Sequence, residues 1–241
     1  MNKYKTIFKH EIAETIEKKS KFIGNAKPVR SREEAELFIA EVRQIHKEAT
    51  HNVFAYRVYE TQKEDKLNKN EFNTPLSSQN KGILIERQTD DGEPSGTAGL
   101  PILNYLKGED LLNICIVVTR YYGGTLLGTG GLVRAYGTCA KQSTIAAGII
   151  TKELYSLVNI KIDYSLLGKV EYEILNLGYT IVNTDYNENV SIYVALIYEE
   201  VHRLEKKIIE VTSNNALIAI YKDFFGFWHE EKLCGIPLIG K

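Results

Sequence analysis

Residues 113–148 constrain the fold of this chain most strongly, because they combine a strand, a glycine-rich loop and a helix. Residues 114–118 are an apolar, β-branched run, which predicts a buried strand. Residues 132–147 carry small and apolar side chains at helical spacing, which predicts a helix. Between them lies the glycine loop (residues 123–131). Its glycines are Gly123, Gly124, Gly128, Gly130 and Gly131.

Two arginines flank the glycine loop, Arg120 before it and Arg134 after it. Glycine lets a ligand approach the backbone closely, and the start of a helix presents unpaired N–H groups with partial positive charge. The loop is therefore a candidate anion-binding site. The competing interpretation is structural, with glycines that let the helix pack closely and arginines paired on the surface. Thr129 replaces the lysine of a P-loop, and Val133 replaces the last small residue of a dinucleotide fingerprint.

A second dense stretch, the acidic loop (residues 90–99), contains three carboxylates. They are Asp90, Asp91 and Glu93. Carboxylate oxygens suit a divalent metal ion, but the stretch is also typical of a turn in which Ser95 or Thr97 caps a helix over 98–107. Because the spacing does not match an EF-hand, we favour the turn and expect neither a metal site nor a cofactor.

The first third of the chain predicts a strand pair followed by a capped helix. The strands are expected over 4–16 and 20–26, with a basic turn between them. That turn region carries Lys18, Lys19 and Lys21. Such a cluster is either a solvated turn or part of a binding surface. Ser31 and Glu34 match a capping box for a helix that ends near Ile45.

The remaining patterns predict two domains and a tail. Residues 52–59 carry apolar groups on both faces and predict a covered strand, whereas residues 60–81 are polar and predict a mobile loop. After residue 148 the pattern changes to a βαββαβ order, typical of a ferredoxin-like module. We expect domains over 1–152 and 153–225, followed by a tail over 226–241.

Composition excludes several classes of protein. The chain has 241 residues, 44% of them hydrophobic, and no apolar run approaches the length of a membrane span or forms a secretory signal. Cys115, Cys139 and Cys234 form no Cys-x-x-Cys pair, so they predict buried free thiols and a cytoplasmic location. Residues 1–152 hold 22 Lys and Arg against 18 Asp and Glu, and the remainder holds 8 against 13. This mild basic excess favours a phosphate-rich partner for the first domain.

The two dense stretches together resemble the signatures of the YigZ/IMPACT family, in its bacterial branch. They are DDGEPSGTAG at 90–99, VTRYYGG at 118–124 and LGTGGLVRAY at 127–136, with KSKFI at 19–23. The resemblance spans residues 4 to 220. It implies an α+β chain whose first domain is like domain 2 of a small-subunit ribosomal protein and domain IV of elongation factor G. It also implies a ferredoxin-like second domain, like domain V of the same factor.

The resemblance implies no established reaction for bacterial members. Eukaryotic relatives regulate translation by blocking activation of an initiation-factor kinase, through an additional domain, so that partner is not implied here. What the resemblance implies is an RNA- or ribosome-associated protein, which is a fold analogy. Our first hypothesis is accordingly a non-enzymatic RNA binder and translation regulator. It would use the lysines, arginines and loop glycines above for phosphates, with Tyr121 and Tyr122 for unstacked bases.

The second hypothesis is an enzyme that binds a nucleotide or another phosphate-bearing small molecule. Small-molecule kinases of the galactokinase type share the broad N-terminal fold that the resemblance implies. The glycine loop would then cradle phosphates, and the carboxylates of the acidic loop would hold magnesium. A hydrolase is disfavoured, since the sequence lacks the nucleophile-elbow and zinc-protease motifs. The sequence carries no indication of the oligomeric state.

Overall fold

The computed structural model describes residues 1–61 and 82–239, which form two compact units. The first unit is Tyr4–Thr151, and the second combines Met1–Lys3 with Lys152–Lys241. Within the described residues the chain forms two sheets and five α-helices, a mixed α+β architecture. The part of the predicted mobile loop that follows residue 61, up to residue 81, lies outside the described residues.

The first unit is built on an antiparallel five-stranded sheet. The elements of this part of the chain are β1 (Lys3–Ile7), β2 (Glu11–Glu17), β3 (Ser20–Pro28), α1 (Arg32–Ile45), β4 (His51–Thr61), β5 (Gly82–Thr89), α2 (Gly99–Gly108), β6 (Ile114–Tyr121) and α3 (Thr129–Ala147), and β1 is not a strand of the five-stranded sheet. The strand order is β2-β3-β6-β4-β5. The strand predicted over 114–118 is thus the central strand of the sheet, and seven of its eight residues are buried.

Helices cover both faces of this sheet. Side chains of α2 and α3 form one apolar cluster with inward residues of β3, β4 and β6, and side chains of α1 form a second cluster with the other face of β4 and β6. Val53 and Ala55 belong to the first cluster, whereas Phe54 and Tyr56 belong to the second. The predicted double coverage of this strand is therefore confirmed.

The ends of two helices differ in detail from the predictions. The Oγ of Ser31 caps α1 by accepting the N–H of Glu34 at 3.2 Å, as expected of a capping box. The carboxylate of Glu34, however, accepts the N–H of Arg30 at 2.7 Å instead of that of the cap residue. Helix α3 begins at Thr129, three residues before its predicted start, because the glycines of the loop continue into the first helical turn.

The second unit has the βαββαβ order that the sequence predicts. Its elements are β7 (Ile149–Ile162), α4 (Leu167–Asn176), β8 (Thr180–Tyr186), β9 (Val190–Ile197), α5 (Val201–Thr212), β10 (Leu217–His229) and β11 (Lys232–Cys234). The strands lie in the order β11-β10-β7-β9-β8. Both helices pack against one face of the sheet, while Leu233, Ile236 and Ile239 pack against a smaller aromatic cluster that includes Tyr155 and Phe224.

Two predicted strands have different limits in the structure. The single strand expected over 4–16 is interrupted after Ile7 and forms β1 and β2. Strand β10 extends to His229, so it runs into the stretch that the sequence assigns to a separate tail, and the hairpin partner β11 follows it. The aromatic residues of 224–228 continue the strand because they pair in register with β7 and β11.

Candidate functional site

The glycine loop leaves the end of β6 and enters α3. Gly124 and Gly128 adopt φ angles of 79° and 71°, which glycine tolerates and which strain a residue with a Cβ. Gly128 is also the N-cap residue of α3, and no side chain in the described part of the molecule caps this helix. Because Gly128, Thr129 and Gly130 are exposed, the unpaired N–H groups of the first turn are open to an external acceptor.

A basic hairpin turn packs directly against this loop. Strands β2 and β3 are joined by the two residues Lys18 and Lys19, whose φ angles are 43° and 71°. A Cβ placed on Gly123 would overlap the carbonyl group of Lys19 and the backbone nitrogen of Ser20. Only glycine fits at this contact. The fold therefore brings the predicted basic cluster to the start of the glycine loop.

The exposed cations around the loop differ in their partners. The two lysines of the hairpin turn are exposed and form no ion pair within the described residues. Lys21, by contrast, is 2.8 Å from the carboxylate of Glu14. Arg134 is exposed on the first turns of α3, forms no ion pair with any described carboxylate, and reaches back to within 3.9 Å of a Cβ position on Gly130. Three unpaired positive charges thus flank the loop.

Arg120 does not belong to this exposed set, which corrects its assignment as a surface phosphate ligand. Its Nη1 donates to Oε1 of Glu93 at 2.6 Å, and the two side chains are 6% and 4% exposed. Its Nη2 donates to the Oγ of Ser20 at 3.3 Å, and that hydroxyl also accepts the N–H of Gly123 at 3.2 Å. Arg120 therefore neutralises a buried carboxylate and supports the start of the loop from beneath.

Glu93 is the centre of a buried polar network that joins the acidic loop to β6 and α3. Besides Arg120, its Oε1 accepts the hydroxyl of Tyr136 at 2.7 Å and lies 3.8 Å from Nε2 of His51. Burial, reinforced by the hydrogen bond to Glu93, raises the pKa of Tyr136. The phenol consequently stays protonated and remains a donor at physiological pH.

The other two carboxylates of the acidic loop accept hydrogen bonds from backbone N–H groups. Asp90 caps α2, since its Oδ1 accepts the N–H groups of Ala98 and Gly99 at 3.0 and 2.9 Å and its Oδ2 accepts that of Gly96 at 2.8 Å. The predicted cap by Ser95 or Thr97 is wrong. A carboxylate suits this place because it meets the partial positive charge at the helix start.

Asp91 joins the acidic loop to the rest of the first unit. Its Oδ1 accepts from Arg43 at 2.9 Å and its Oδ2 accepts the N–H of Asn52 at 2.7 Å. Its carbonyl oxygen lies 2.7 Å from Nδ1 of His51. Within the described residues, no group of three or more His, Cys, Asp or Glu side chains has the arrangement of a metal site. All three carboxylates accept hydrogen bonds from other groups of the protein.

Replacing Asp90 by alanine is expected to lower the free energy of unfolding by about 2 kcal/mol, because three backbone N–H groups lose a charged acceptor. Urea unfolding followed by circular dichroism measures this loss. Ser95→Ala is the matched control, since Ser95 is exposed and the expected change is below about 0.5 kcal/mol. A larger loss for Ser95→Ala than for Asp90→Ala would contradict the assignment of the cap.

The two tyrosines after Arg120 lie in different surroundings. The hydroxyl of Tyr121 lies 3.0 Å from Nδ1 of His46, and its ring packs edge-on against that imidazole. Burial lowers the pKa of His46, with Lys21 adding to the effect. Tyr122 is 46% exposed, and its N–H donates to the Oγ1 of Thr50 at 3.2 Å. Of these two tyrosines, Tyr122 is the more exposed.

The cysteines do not form a reactive centre. Cys115 and Cys139 are buried and unpaired, and burial raises the pKa of Cys139 to about 11. Thiols with such pKa values are protonated at neutral pH and are poor nucleophiles. Cys234 is partly exposed, which corrects the expectation that all three thiols are buried.

Sequence reasoning missed the residues that hold the two dense stretches together, namely Ser20, His51 and Tyr136. Ser20 lies between two lysines, His51 is flanked by polar residues and Tyr136 by small ones, so their neighbours in the sequence contain no signal for this role. The hydrogen-bond partners of these three residues lie 40 to 103 residues away in the sequence. Tertiary structure alone reveals this network.

Comparison with known proteins places this site in a family. Residues 18–144 match the model of the Impact N-terminal domain, and residues 160–215 match a domain of unknown function, DUF1949. The chain is 32% identical over 216 residues to the IMPACT family member YvyE of Bacillus subtilis, covering 90% of each protein. The chain belongs to the IMPACT family. The resemblance inferred from the two signatures is thereby confirmed.

Other similar proteins agree with this assignment. The IMPACT family member YigZ of Escherichia coli is 33% identical over 204 residues, which cover 84% of this chain and 91% of that protein. The crystal structure of a hypothetical protein aligns with a TM-score of 0.52 and 29% identity, covering 92% of this chain and 98% of that one. Protein IMPACT-B of Xenopus tropicalis is 33% identical over 100 residues, which cover 25% of that protein.

The candidate site lies entirely inside the Impact N-terminal domain. Its first residue is Lys18 and its last is Arg134, both within the matched range of 18–144. The region shared with other IMPACT members therefore contains both the glycine loop and the acidic loop. Neither 1–61 nor 82–239 contains a helix that is long and apolar enough to cross a membrane.

Proposed function

We propose that this IMPACT family member is a non-enzymatic RNA- or ribosome-associated protein, a regulator of translation, that binds phosphate groups at its glycine loop. One observation carries the proposal: the hairpin turn with Lys18 and Lys19 packs on Gly123, the first residue of the glycine loop, and this loop leads into the uncapped start of α3. We call the surface made by Lys18, Lys19, Arg134 and the glycine loop the basic surface.

The charges of the basic surface support binding to a polyanion. Its three cations are exposed and have no carboxylate partner among the described residues, so phosphate contacts would not compete with internal ion pairs. Exposed lysine and arginine attract nucleic acid by releasing its condensed counterions. The uncapped N–H groups of α3 add donors of a kind that phosphate accepts.

Backbone strain at the hairpin turn also supports a functional role. Lysine at two successive positive φ angles costs about 1–2 kcal/mol per residue, whereas asparagine and glycine are the preferred residues of such a turn. Strained backbone is frequently kept where the side chain has a task. The two lysines place positive charge at the tip of the hairpin, beside the loop. A turn made of the preferred asparagine and glycine would have no charge there.

The fold names implied by the resemblance belong to the same proposal. The antiparallel order β10-β7-β9-β8 with two helices on one face supports a ferredoxin-like assignment of the second unit. For the first unit we infer the fold of domain 2 of a small-subunit ribosomal protein and of domain IV of elongation factor G. A fold that resembles proteins of the translation apparatus supports RNA as the ligand. This support is an analogy, and the function has to be argued from the residues of the site.

The geometry of the acidic loop supports RNA binding more than it supports the activity of a small-molecule kinase. A kinase of that type would need carboxylates of the acidic loop for magnesium. Asp90 caps α2, Asp91 binds Arg43, and Glu93 is buried against Arg120. Each carboxylate already has a partner within the protein, so this reading would need the acidic loop to rearrange.

Fluorescence anisotropy with labelled single-stranded RNA at about 50 and 200 mM salt tests the proposal. With three cations on phosphate, the logarithmic salt slope is expected near −2, a roughly 20-fold loss of affinity over this range. The double variant Lys18→Asn/Lys19→Gly should reduce that loss to roughly threefold, because one cation remains. The same variant should raise the free energy of unfolding by about 1 kcal/mol, since the turn is relaxed.

Two exposed lysines of the second unit provide the matched control. Lys169→Asn/Lys206→Asn removes the same charge from positions without an ion pair in the described structure, and it should leave the salt slope unchanged. An equal effect of both double variants would show attraction by net charge alone and contradict the proposed site. Co-sedimentation of the protein with ribosomes from a lysate, lost on Lys18→Asn/Lys19→Gly, tests the ribosome as the source of the RNA.

A further inference from the structure

Tyr122, the residue directly before the glycine loop of the basic surface, presents an exposed aromatic ring. The guanidinium carbon of Arg120 lies 5.4 Å from the centroid of the Tyr122 ring and 5.5 Å from that of the Phe22 ring. Both distances are those of a cation–π contact. Since the guanidinium lies over one face of the Tyr122 ring, the 46% of the residue that is exposed belongs largely to the opposite face and the ring edge.

The support behind this ring is rigid. Arg120 is fixed by its ion pair with Glu93 at 2.6 Å. The N–H of Thr50 donates to the carbonyl oxygen of Arg120 at 2.9 Å, and the Oγ1 of Thr50 accepts the N–H of Tyr122 at 3.2 Å. An aromatic side chain held in this way loses little conformational entropy when a second planar group stacks on it.

Tyr122 is also adjacent in the sequence to the glycine loop of the basic surface. It is followed directly by Gly123, against which the Lys19 backbone packs. Tyr121, in contrast, is engaged through its hydroxyl by His46. One exposed ring therefore adjoins unpaired cations, and this combination is characteristic of proteins that bind single-stranded nucleic acid.

We propose that Tyr122 is a stacking platform for an unpaired RNA base, and that the basic surface therefore takes single-stranded RNA in preference to duplex. The inference rests on the proposed function and deepens it by naming the class of RNA. In an A-form duplex the bases are stacked on each other and offer no free face, so only phosphates would be available to this site. In a single strand, the base and the adjacent phosphate are bound together.

The test compares labelled oligoadenylate alone with the same strand annealed to oligouridylate, by anisotropy at about 50 and 200 mM salt. The single strand is expected to bind at least roughly tenfold more tightly than the duplex. Tyr122→Leu should weaken single-strand binding roughly 5- to 100-fold without changing the salt slope, because no charge is removed. Tyr122→Phe keeps the ring and should bind within about twofold of the original protein.

The outcomes separate this inference from the proposed function. Equal affinity for single strand and duplex, or no effect of Tyr122→Leu, overturns the stacking platform, while a steep salt dependence in the same titrations leaves the proposed function standing. Absence of any salt-sensitive binding overturns both. Thermal melts of the two Tyr122 variants verify that they are folded, and a phenylalanine variant as weak as the leucine variant also overturns stacking.

Discussion

Substitution of Arg120 by methionine is expected to lower the free energy of unfolding by about 3–5 kcal/mol, as for other buried ion pairs that lose one partner. Glu93 would lose its cationic partner in a site that is 4% exposed, where the Tyr136 hydroxyl and, at 3.8 Å, Nε2 of His51 are its remaining neighbours. Methionine retains most of the apolar volume between the neighbouring rings. The loss in free energy of unfolding therefore measures the effect of removing the positive charge. Urea unfolding followed by circular dichroism measures it.

Arg134→Met is the matched control for this prediction. Arg134 is exposed and lacks an ion pair within the described residues, so its replacement should change stability by less than about 0.5 kcal/mol. The double variant Arg120→Met/Glu93→Gln removes both buried charges and should be more stable than Arg120→Met alone. If Arg120→Met were no less stable than Arg134→Met, the ion pair would not be the buried centre of the first unit.

The elements of this fold could be predicted wherever a repeating pattern extends over many residues. The alternation of 52–59, the small-residue periodicity of 132–147 and the cap at Ser31 each determine local structure through neighbouring residues. The limits of β1, β2 and β10 could not be predicted in the same way, because they depend on pairing with distant strands. Pairing partners leave little trace in the local pattern.

The candidate site could be predicted in its composition but not in its assembly. The glycines and cations of the sequence indicate the loop as a candidate site. The sequence pattern, however, gives no reason to distinguish Arg120 from Arg134. In the fold one is buried against Glu93 and the other is exposed. The difference arises because Arg120 lies on the central strand, where both faces are covered, so an internal carboxylate must compensate its charge. Likewise, only the fold places the Lys18–Lys19 turn against a glycine about a hundred residues later.

Replacing Gly123 by alanine is expected to lower the free energy of unfolding by about 3 kcal/mol and to weaken the proposed RNA binding roughly tenfold. The added Cβ would overlap the carbonyl group of Lys19 and the nitrogen of Ser20, which are backbone atoms and cannot rotate away. The hairpin turn must therefore move away from the loop, and the hydrogen bond from Gly123 to Ser20 is lost. Gly123 is not among the positive-φ residues, so the effect is steric and not conformational.

Gly137→Ala introduces the same methyl group elsewhere and serves as its control. Gly137 lies within α3, and a Cβ there would meet no atom within 4 Å. The change should raise the free energy of unfolding by about 1 kcal/mol, as expected for alanine over glycine inside a helix, and leave RNA affinity unchanged. Urea unfolding and anisotropy compare the two variants side by side. Equal stability and equal RNA affinity of the two variants would contradict the packing of the Lys18–Lys19 turn against Gly123, on which the basic surface depends.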